Sequence, residues 1–505
     1  MKGSEINILS LVFDKNDKKT PLKVQLYEKI KSLIENGYLK DGDRLPSSRE
    51  FAERMKVGRI TVSSAYQMLI EEGLLESRIG SGTLVRSAAS QLRPRQIKPI
   101  ARKVNLPDYV IQRKIDLAAN ALRFQPQRPI PFALNAPNQN DHPGPNWIKI
   151  VSRLSKSPWQ HNSYADPRGY LPCREAIADY LRTHRAIPCT PEQVITTSGI
   201  QQGISLCAQL LFSPGDVIAA EDPGYQPHLS IFEFSGMKIH LIDTDEPLSA
   251  RRLGAVKEKL SGALVISSNH FPTRKCISLD ERRKIVEWAT EKGVWIIEND
   301  YGNEFSDDAL GVPAMAAFNP DTVIHLNSFA KVIYPGLCLG YVVVPSFLSD
   351  AFAGAKFMQD RHVSEVHQTI MTEFIKGGFL DAHIRRLKKL YRERRNCAER
   401  SIRVHLSNFG VLVSEPDGDY LIFELSNSFE DDCRLAAFLK EKIGLEVLPL
   451  SSCYRRAPSR KGLILGYSHF STEEFERAVL KLKKALSCFL TVSYTHLTLP
   501  TILLV

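Results

Sequence analysis

No stretch of this chain stays apolar for the ~20 residues that a membrane span needs, and its first residues do not lead from a basic segment into an apolar signal core. Both absences lead to the expectation of a protein that works in the cytosol, with no membrane partner. The nine cysteines form no CxxC pair and no cluster with histidine. Neither a disulfide framework nor a structural zinc site is therefore expected, and no metal at all. His184, His228 and His240 make no ligand pair and read as surface or satisfied polar residues. No internal repeat is evident. What the chain does have is the composition of an ordinary folded protein, 43% hydrophobic and 24% charged over 505 residues. That excludes wholesale disorder and a fibrous repeat, and predicts two or three domains. A net charge of +10 favours an acidic partner without identifying one.

From Pro21 to Asn36, apolar residues recur at helical spacing (Leu22, Leu26, Ile30, Leu33, Ile34), and Gly37 stops the run. Ser47 followed by Glu50 reads as a capping box for a short helix whose inner face is Phe51, Ala52 and Met55. After a tight turn at Val57 and Gly58, a second helical run ends at Gly73, with Ile60, Val62 and Ala65 expected to face the core. LLESRIGSGTLV reads as two short strands joined by a turn that Gly80 and Gly82 permit. Over residues 15–87 this order predicts a winged helix-turn-helix, mainly α, which would set its second helix in the major groove of double-stranded operator DNA. Arg59, Thr61, Ser63 and Ser64 are the polar residues near the start of that helix. Arg49 in the preceding helix and Arg78 at the wing complete the candidate DNA-binding set.

Residues 88–115 are rich in Pro, Arg, Lys and Gln, lack periodicity, and read as a basic linker. Strand and helix patterns alternate from there on. TPEQVITT, DVIAAED, GALVISSN, GVWIIEND and DTVIHLNSF are strand candidates spaced by helical segments, as in a mostly parallel sheet covered on both faces. A long charged helix from Asp381 to Val404, strands such as DYLIFEL and GLILGYS, and an amphipathic helix from Thr472 predict an α+β lobe. The expected division is one domain over 116–490. Its large α/β lobe covers about 160–375, and its small lobe about 376–490 together with 116–159. The segment VSYTHLTLPTILLV (492–505) resembles a translated sequencing adapter and is expected to be a non-native tail.

The stretches TPLKVQLYEKIKSLI, LPSSREFAERM and ITVSSAYQMLIEEGLLESRIGSGTLV resemble the DNA-binding domain of GntR-type regulators. One departure is Gly58, where that family more often has a capping Ser; Gly there costs only a few tenths of a kcal/mol. Residues 116–490 resemble fold-type I aminotransferases that use pyridoxal 5'-phosphate, so the whole chain resembles the MocR subfamily of GntR regulators. The resemblance implies roles for particular residues. Tyr164 in YADPRGY would reach the cofactor phosphate of a partner subunit. Ser198, Gly199 and Ile200 in SGIQQG would hold the phosphate at a helix start. Tyr225 would stack on the ring, Asn269 would lie along its edge, and Tyr301 would hydrogen-bond its hydroxyl oxygen. Ser328 would help bind the phosphate. Lys331 in NSFAKVIYPG would be the residue that joins the cofactor, because a reversible imine needs a primary amine that can lose its proton.

Three positions depart from that pattern. Asn299 stands where an aspartate normally keeps the pyridine nitrogen protonated; Asp300 is adjacent, but one step along a strand turns a side chain to the other face. Cys338 stands in place of the phosphate-pairing arginine, and losing a charge-assisted bond of about 1.5–3 kcal/mol weakens binding roughly 10- to 100-fold. Arg274 replaces a turn glycine and would either clash with the loop or reach the phosphate from a new direction. A carboxylate-binding arginine is expected near Leu463, where Arg460 and Lys461 are only approximate substitutes. The implied function is a dimeric, sequence-specific transcription regulator. Its aminotransferase-like domain would sense pyridoxal phosphate, its adduct with an amino compound, or another small effector. The rival is an aminotransferase with Lys331 as its catalytic residue and an attached DNA-binding domain.

Overall fold

The computed structural model describes residues 20–78, 82–86, 109–124, 131–134, 141–156, 163–244, 247–305, 312–413 and 418–497. Gly80, the linker as far as residue 108 and the tail from 498 onward lie outside them. The chain divides into two compact units, 1–105 and 106–505.

The first unit contains α1 (Leu22–Glu35), β1 (Arg44–Leu45), α2 (Ser48–Met55), α3 (Arg59–Glu71), β2 (Leu75–Arg78) and β3 (Gly82–Val85). Leu26, Ile30 and Ile34 of α1 pack with Phe51, Val62, Ala65 and Leu69 into one core. Ser47 Oγ accepts the Glu50 amide at 3.2 Å, so α2 is capped as expected. Lys56 at φ 51° makes the tight turn into α3. The strands form a small antiparallel sheet in the order β1-β3-β2, and its short β1 has no signal in the hydrophobic pattern. One expectation fails. Ile60 does not face the core: it is 83% exposed, while Val62 and Ala65 are fully buried. The helical period of 3.6 puts Val62, Ala65, Tyr66 and Leu69 on one face, and Ile60 falls off that stripe.

The second unit begins with α4 (Tyr109–Ala121), α5 (Pro145–Lys156) and α6 (Leu171–Arg185). The large sheet and its helices then follow as β4 (Val194–Thr197), α7 (Ile200–Leu211), β5 (Val217–Asp222), α8 (Gln226–Phe234) and β6 (Lys238–Asp243). They continue as α9 (Ala250–Gly254), β7 (Leu260–Val265), α10 (Leu279–Lys292), β8 (Trp295–Asn299), β9 (Val323–Ser328) and β10 (Gly340–Val343). The sheet order is β4-β10-β9-β8-β7-β5-β6, parallel except for β10, which runs against both neighbours. After α11 (Ser349–Asp360) and α12 (Glu365–Lys376), the long α13 (Phe379–Leu406) enters the small lobe. There β11 (Gly410–Val413), β12 (Tyr420–Leu425), α14 (Asp432–Ile443), β13 (Leu448–Pro449), β14 (Gly462–Gly466) and α15 (Thr472–Leu497) form an antiparallel sheet in the order β11-β12-β14-β13, flanked by helices.

Two borders differ from the sequence reading. Residues 109–115, read as linker, are the first turns of α4, which packs against α8; Arg113 pairs with Glu233 at 3.3 Å. The stretch 116–159 is shared between the lobes: Phe132 bridges to Gly466 in the small lobe, whereas Trp147 of α5 meets Phe374 of α12 with ring centroids 5.2 Å apart. The physical reason is that short amphipathic pieces settle on whichever face offers apolar cover, and local pattern does not name that face.

The floor of the large sheet depends on β8. Its side chains alternate: Ile297 faces the core under α7, while Ile296 faces the opposite core. Glu298 and Asp300 follow Ile296. Glu298 accepts from Ser267 Oγ at 2.8 Å and lies 3.0 Å from His325 Nδ1. Burial opposes its charge, but His325 and Arg282 hold the carboxyl below its ordinary range. Asp300 is fully buried against Arg185 Nε at 2.8 Å. Replacing Arg185 by alanine strands that carboxylate. The expected cost is about 3–5 kcal/mol, read as a lowered midpoint in denaturant unfolding, and an unchanged midpoint would count against the role of this pair.

Candidate functional site

Strands β4, β8 and β9 end at one side of the sheet, where an open α/β fold has its crevice. The small lobe closes that crevice into a cavity of about 1000 Å³. Ser198, Gly199, Ile200, Tyr225, Asn269, Asn299, Tyr301, Ser328 and Lys331, expected to act together, all line it, as does Cys338. Tyr164 does not. It is 72% exposed, with the Arg361 guanidinium 4.1 Å from its ring centroid, so on its own chain it faces outward.

Lys331 follows β9 after two residues, and its ammonium comes to 3.1 Å from Asp419 Oδ1. The aromatic rings of Tyr301 and Phe305 lie 5.3 and 5.9 Å from the same nitrogen. Gly302 makes room for it: a Cβ there, at φ +77°, would stand 2.7 Å from Nζ. In the sequence Asp419 reads only as the first residue of the strand DYLIFEL, with no role in the site. Burial acts to raise its pKa, but Lys331 and His469 nearby hold it below the ordinary carboxylate value.

Alternation along β8 puts Asn299 in the cavity and Asp300 on the other side of the sheet. Asn299 Oδ1 accepts the Tyr301 amide at 3.1 Å, and its Nδ2 lies 3.5 Å from His228 Nδ1. His228 was read as a surface or satisfied residue; it is buried on the cavity wall, and burial drives its pKa down to about 3. This wall is therefore neutral. At the opposite end, Gly199 is the N-cap of α7, and the first turn of a helix offers amides with no acceptor inside the helix. The Ser198 amide already donates to Gln202 Oε1 at 2.8 Å, which leaves Gly199 and Ile200 as the better donors. Ser328 Oγ accepts the Ala330 amide at 3.2 Å and donates to the Leu339 carbonyl at the same distance.

The three doubtful cations are engaged elsewhere. Arg274 at φ 62° turns toward the small lobe, where Nη1 donates to the Tyr420 carbonyl at 2.8 Å and the guanidinium sits over the Tyr420 ring. A Cβ on Gly418 would come within 2.3 Å of that guanidinium, so glycine there is what lets Arg274 lie flat. Arg274 does not line the cavity. Arg460 pairs with Glu424, and Lys461 donates to the Glu430 carbonyl at 2.6 Å. Among the described residues, Asp431, Asp432 and Cys433 have ligand atoms close enough for one cation, but both carboxylates cap or brace local backbone.

In the first unit, Arg49, Arg59 and Ser63 are exposed and Thr61 and Ser64 half-exposed along α2 and α3. Arg78 ends β2, 3.3 Å from Glu76. Ile60 and Arg44 join this surface unannounced by the sequence reading, Arg44 lying against Gly82 of the wing.

Comparison with known proteins agrees with both halves. Residues 22–85 match the family described as bacterial regulatory proteins, gntR family, and residues 112–479 match aminotransferase class I and II. The chain is 30% identical to the probable rhizopine catabolism regulatory protein MocR of Rhizobium meliloti, over 94% of this chain and 95% of that protein. It is 26% identical to the pyridoxine biosynthesis transcriptional regulator PdxR of Corynebacterium glutamicum, over 93% and 96% of the two chains. An archaeal alanine:glyoxylate aminotransferase superposes with a TM-score of 0.65 at 23% identity, covering 74% of this chain and 95% of its own, which speaks for the fold alone.

Behind Tyr225, Glu221 Oε2 and His270 Nε2 lie 3.5 Å apart, both buried. Burial pushes the Glu221 carboxyl up to about 8 and His270 down to about 3, so the pair is neutral at pH 7. At Glu221 the folded state holds a proton that the unfolded state releases at its ordinary 4.5. At His270 the unfolded state holds one up to its ordinary 6.5 that the folded state lacks. The two oppose each other as far as 6.5, and stability falls as pH rises from there to about 8. Glu221→Gln should flatten that limb of the melting-temperature profile. An unchanged slope would mean that Glu221 is ionised.

Proposed function

The chain belongs to the GntR-type regulators that carry an aminotransferase class I and II domain, the MocR kind, and from that premise we propose a regulator whose second unit senses a small molecule. In this reading the protein binds double-stranded operator DNA as a homodimer, and the cavity around Lys331 binds pyridoxal phosphate, its adduct with an amino compound, or another small effector. The observation that carries it is the contrast inside one cavity. Lys331, Tyr225 and Tyr301 line the cavity, while Asn299, beside neutral His228, stands where the chemistry of transamination calls for a carboxylate. The name of the relative PdxR, which ties it to pyridoxine biosynthesis, supports vitamin B6 as the ligand class.

The residues fit pyridoxal phosphate, which when bound supplies an aldehyde that combines reversibly with primary amines. The amides of Gly199 and Ile200, with Ser198 and Ser328, hold the phosphate. Tyr225 would cover the ring face, Asn269 would line its edge, Tyr301 would donate to its ring oxygen, and Lys331 would anchor it. Outward-facing Tyr164 is suited to reach the partner's cavity. Without a guanidinium at Cys338, binding is weak enough for occupancy to follow cofactor supply. Aminotransferase activity remains the second reading, favoured by Lys331 and opposed by Asn299 and by the occupied Arg460.

On the DNA side, Arg49, Arg59 and Arg78 meet phosphates. Thr61, Ser63, Ser64 and Ile60 meet base edges, and Ile60 is suited to a thymine methyl group.

Titration with pyridoxal phosphate should produce a visible absorbance band, and borohydride should leave a stable adduct on Lys331 by mass spectrometry. Lys331→Ala should abolish the adduct and retain operator binding. Cys338→Arg should tighten cofactor binding roughly 10- to 100-fold. The absence of any band at saturation would sink the cofactor reading. In gel-shift assays, Arg59→Ala should weaken binding across sequences and lower the salt slope by about 1. Ile60→Ala should change stability by no more than about 0.5 kcal/mol yet relax sequence preference, and unchanged preference would remove Ile60 from the interface.

A further inference from the structure

The cavity that holds Lys331 has walls of two kinds. Ser198, Asn269, Asn299, Tyr301 and Ser328 give it a polar part. Phe124, Leu134, Phe271, Leu448 and Tyr454 line the same cavity and give it an apolar strip. Ring contacts join the strip to the lysine. The Phe124 ring lies 5.7 Å from that of Tyr225, and Tyr225 lies 5.9 Å from Phe271. Phe271 is in turn 5.6 Å from Tyr420, which follows the Asp419 that pairs with Lys331. Leu134, Leu448 and Tyr454 pack, like Phe271, on the small cluster that contains Tyr420.

Folding leaves this strip partly uncovered: all five side chains are only half-buried. Apolar surface in a concave site gains when a ligand removes it from water. The charged groups that line the cavity beside the strip are already matched, Lys440 with Glu446 and Arg455 with Glu233, each at 2.9 Å. At about 1000 Å³, the cavity stands at the upper end of small-molecule sites, roughly 300–1,000 Å³, so it has room for a body beyond the group held at Lys331.

We propose that the small effector is an amine with an extended apolar body, an alkylamine or arylalkylamine, whose nitrogen lies at the Lys331 end and whose body lies along Phe124, Phe271 and Leu448. The proposal rests on the reading of this cavity as an amine-sensing site and states which amines it takes. Phe124, in the turn after α4, and Leu448, on the edge strand β13, thereby become specificity-determining residues. They come from opposite ends of the second unit, and neither belongs to the motifs around Lys331.

The test titrates 1-aminobutane, 1-aminohexane and 1-aminooctane calorimetrically into the full-length protein, with and without pyridoxal phosphate. A fourth ligand, 6-amino-1-hexanol, ends the middle chain in a hydroxyl group. Affinity should rise roughly 4-fold for each methylene added, and the amino alcohol should bind more weakly than 1-aminohexane. Phe124→Ala and Leu448→Asn should each bring the gain per methylene below about 2-fold, with the folded state of each variant checked by its unfolding midpoint. Binding that ignores chain length overturns the proposal and leaves the amine-site reading standing, and the unaltered protein decides this even where a variant does not fold. A length dependence that survives in both folded variants also overturns it. Failure of all four ligands to bind under either condition overturns both readings.

Discussion

Strand β8 imposes the constraint on which the second unit rests. Successive side chains leave a strand on opposite faces, so a single run, Ile296 to Asp300, must serve two environments. One face carries Glu298 and Asp300 into a dry interior, where Arg185, Arg282 and His325 compensate them. The other carries Ile297 to the core under α7 and Asn299 to the cavity floor. The acid that would polarise a cofactor ring is thus present in the sequence and absent from the site. That acid, Asp300, is buried beside Asn299 on the opposite face, and only a register shift, which would also invert Ile296 and Ile297, could exchange the two.

The small lobe completes what the sheet begins. It brings Asp419 to Lys331 and draws Arg274 to the Tyr420 carbonyl. The Arg274 replacement therefore looks like a loss when the chain is read linearly, but in space it is a brace between the lobes. The same lobe supplies Glu446, which pairs with Lys440 on the cavity wall.

The DNA-binding unit obeys a simpler rule. Its core stripe on α3 is Val62, Ala65, Tyr66 and Leu69, and the Tyr66 hydroxyl donates to the Pro46 carbonyl at 3.0 Å, tying α3 to the start of α2. Ile60 lies outside the stripe and is left in the open beside Arg59.

Local sequence determined a great deal. Helix periodicity and capping placed α1, α2 and α3, apolar runs bounded by turn residues placed most strands of the large sheet, and the resemblance to aminotransferases pointed to nine cavity residues from Ser198 to Lys331. These succeed because period, cap and turn are properties of neighbours in the chain. The two-residue β1, the assignment of 116–159 between lobes and the helical start at Tyr109 were not legible, since each depends on which distant face offers hydrogen bonds or apolar cover. The same holds for Asp419, Glu446, His228 and the direction of Arg274. Their meaning comes from partners such as Lys331 and Tyr420, dozens or hundreds of residues away. Burial and electrostatic pairing act across space, and only the tertiary structure decided which charges would meet.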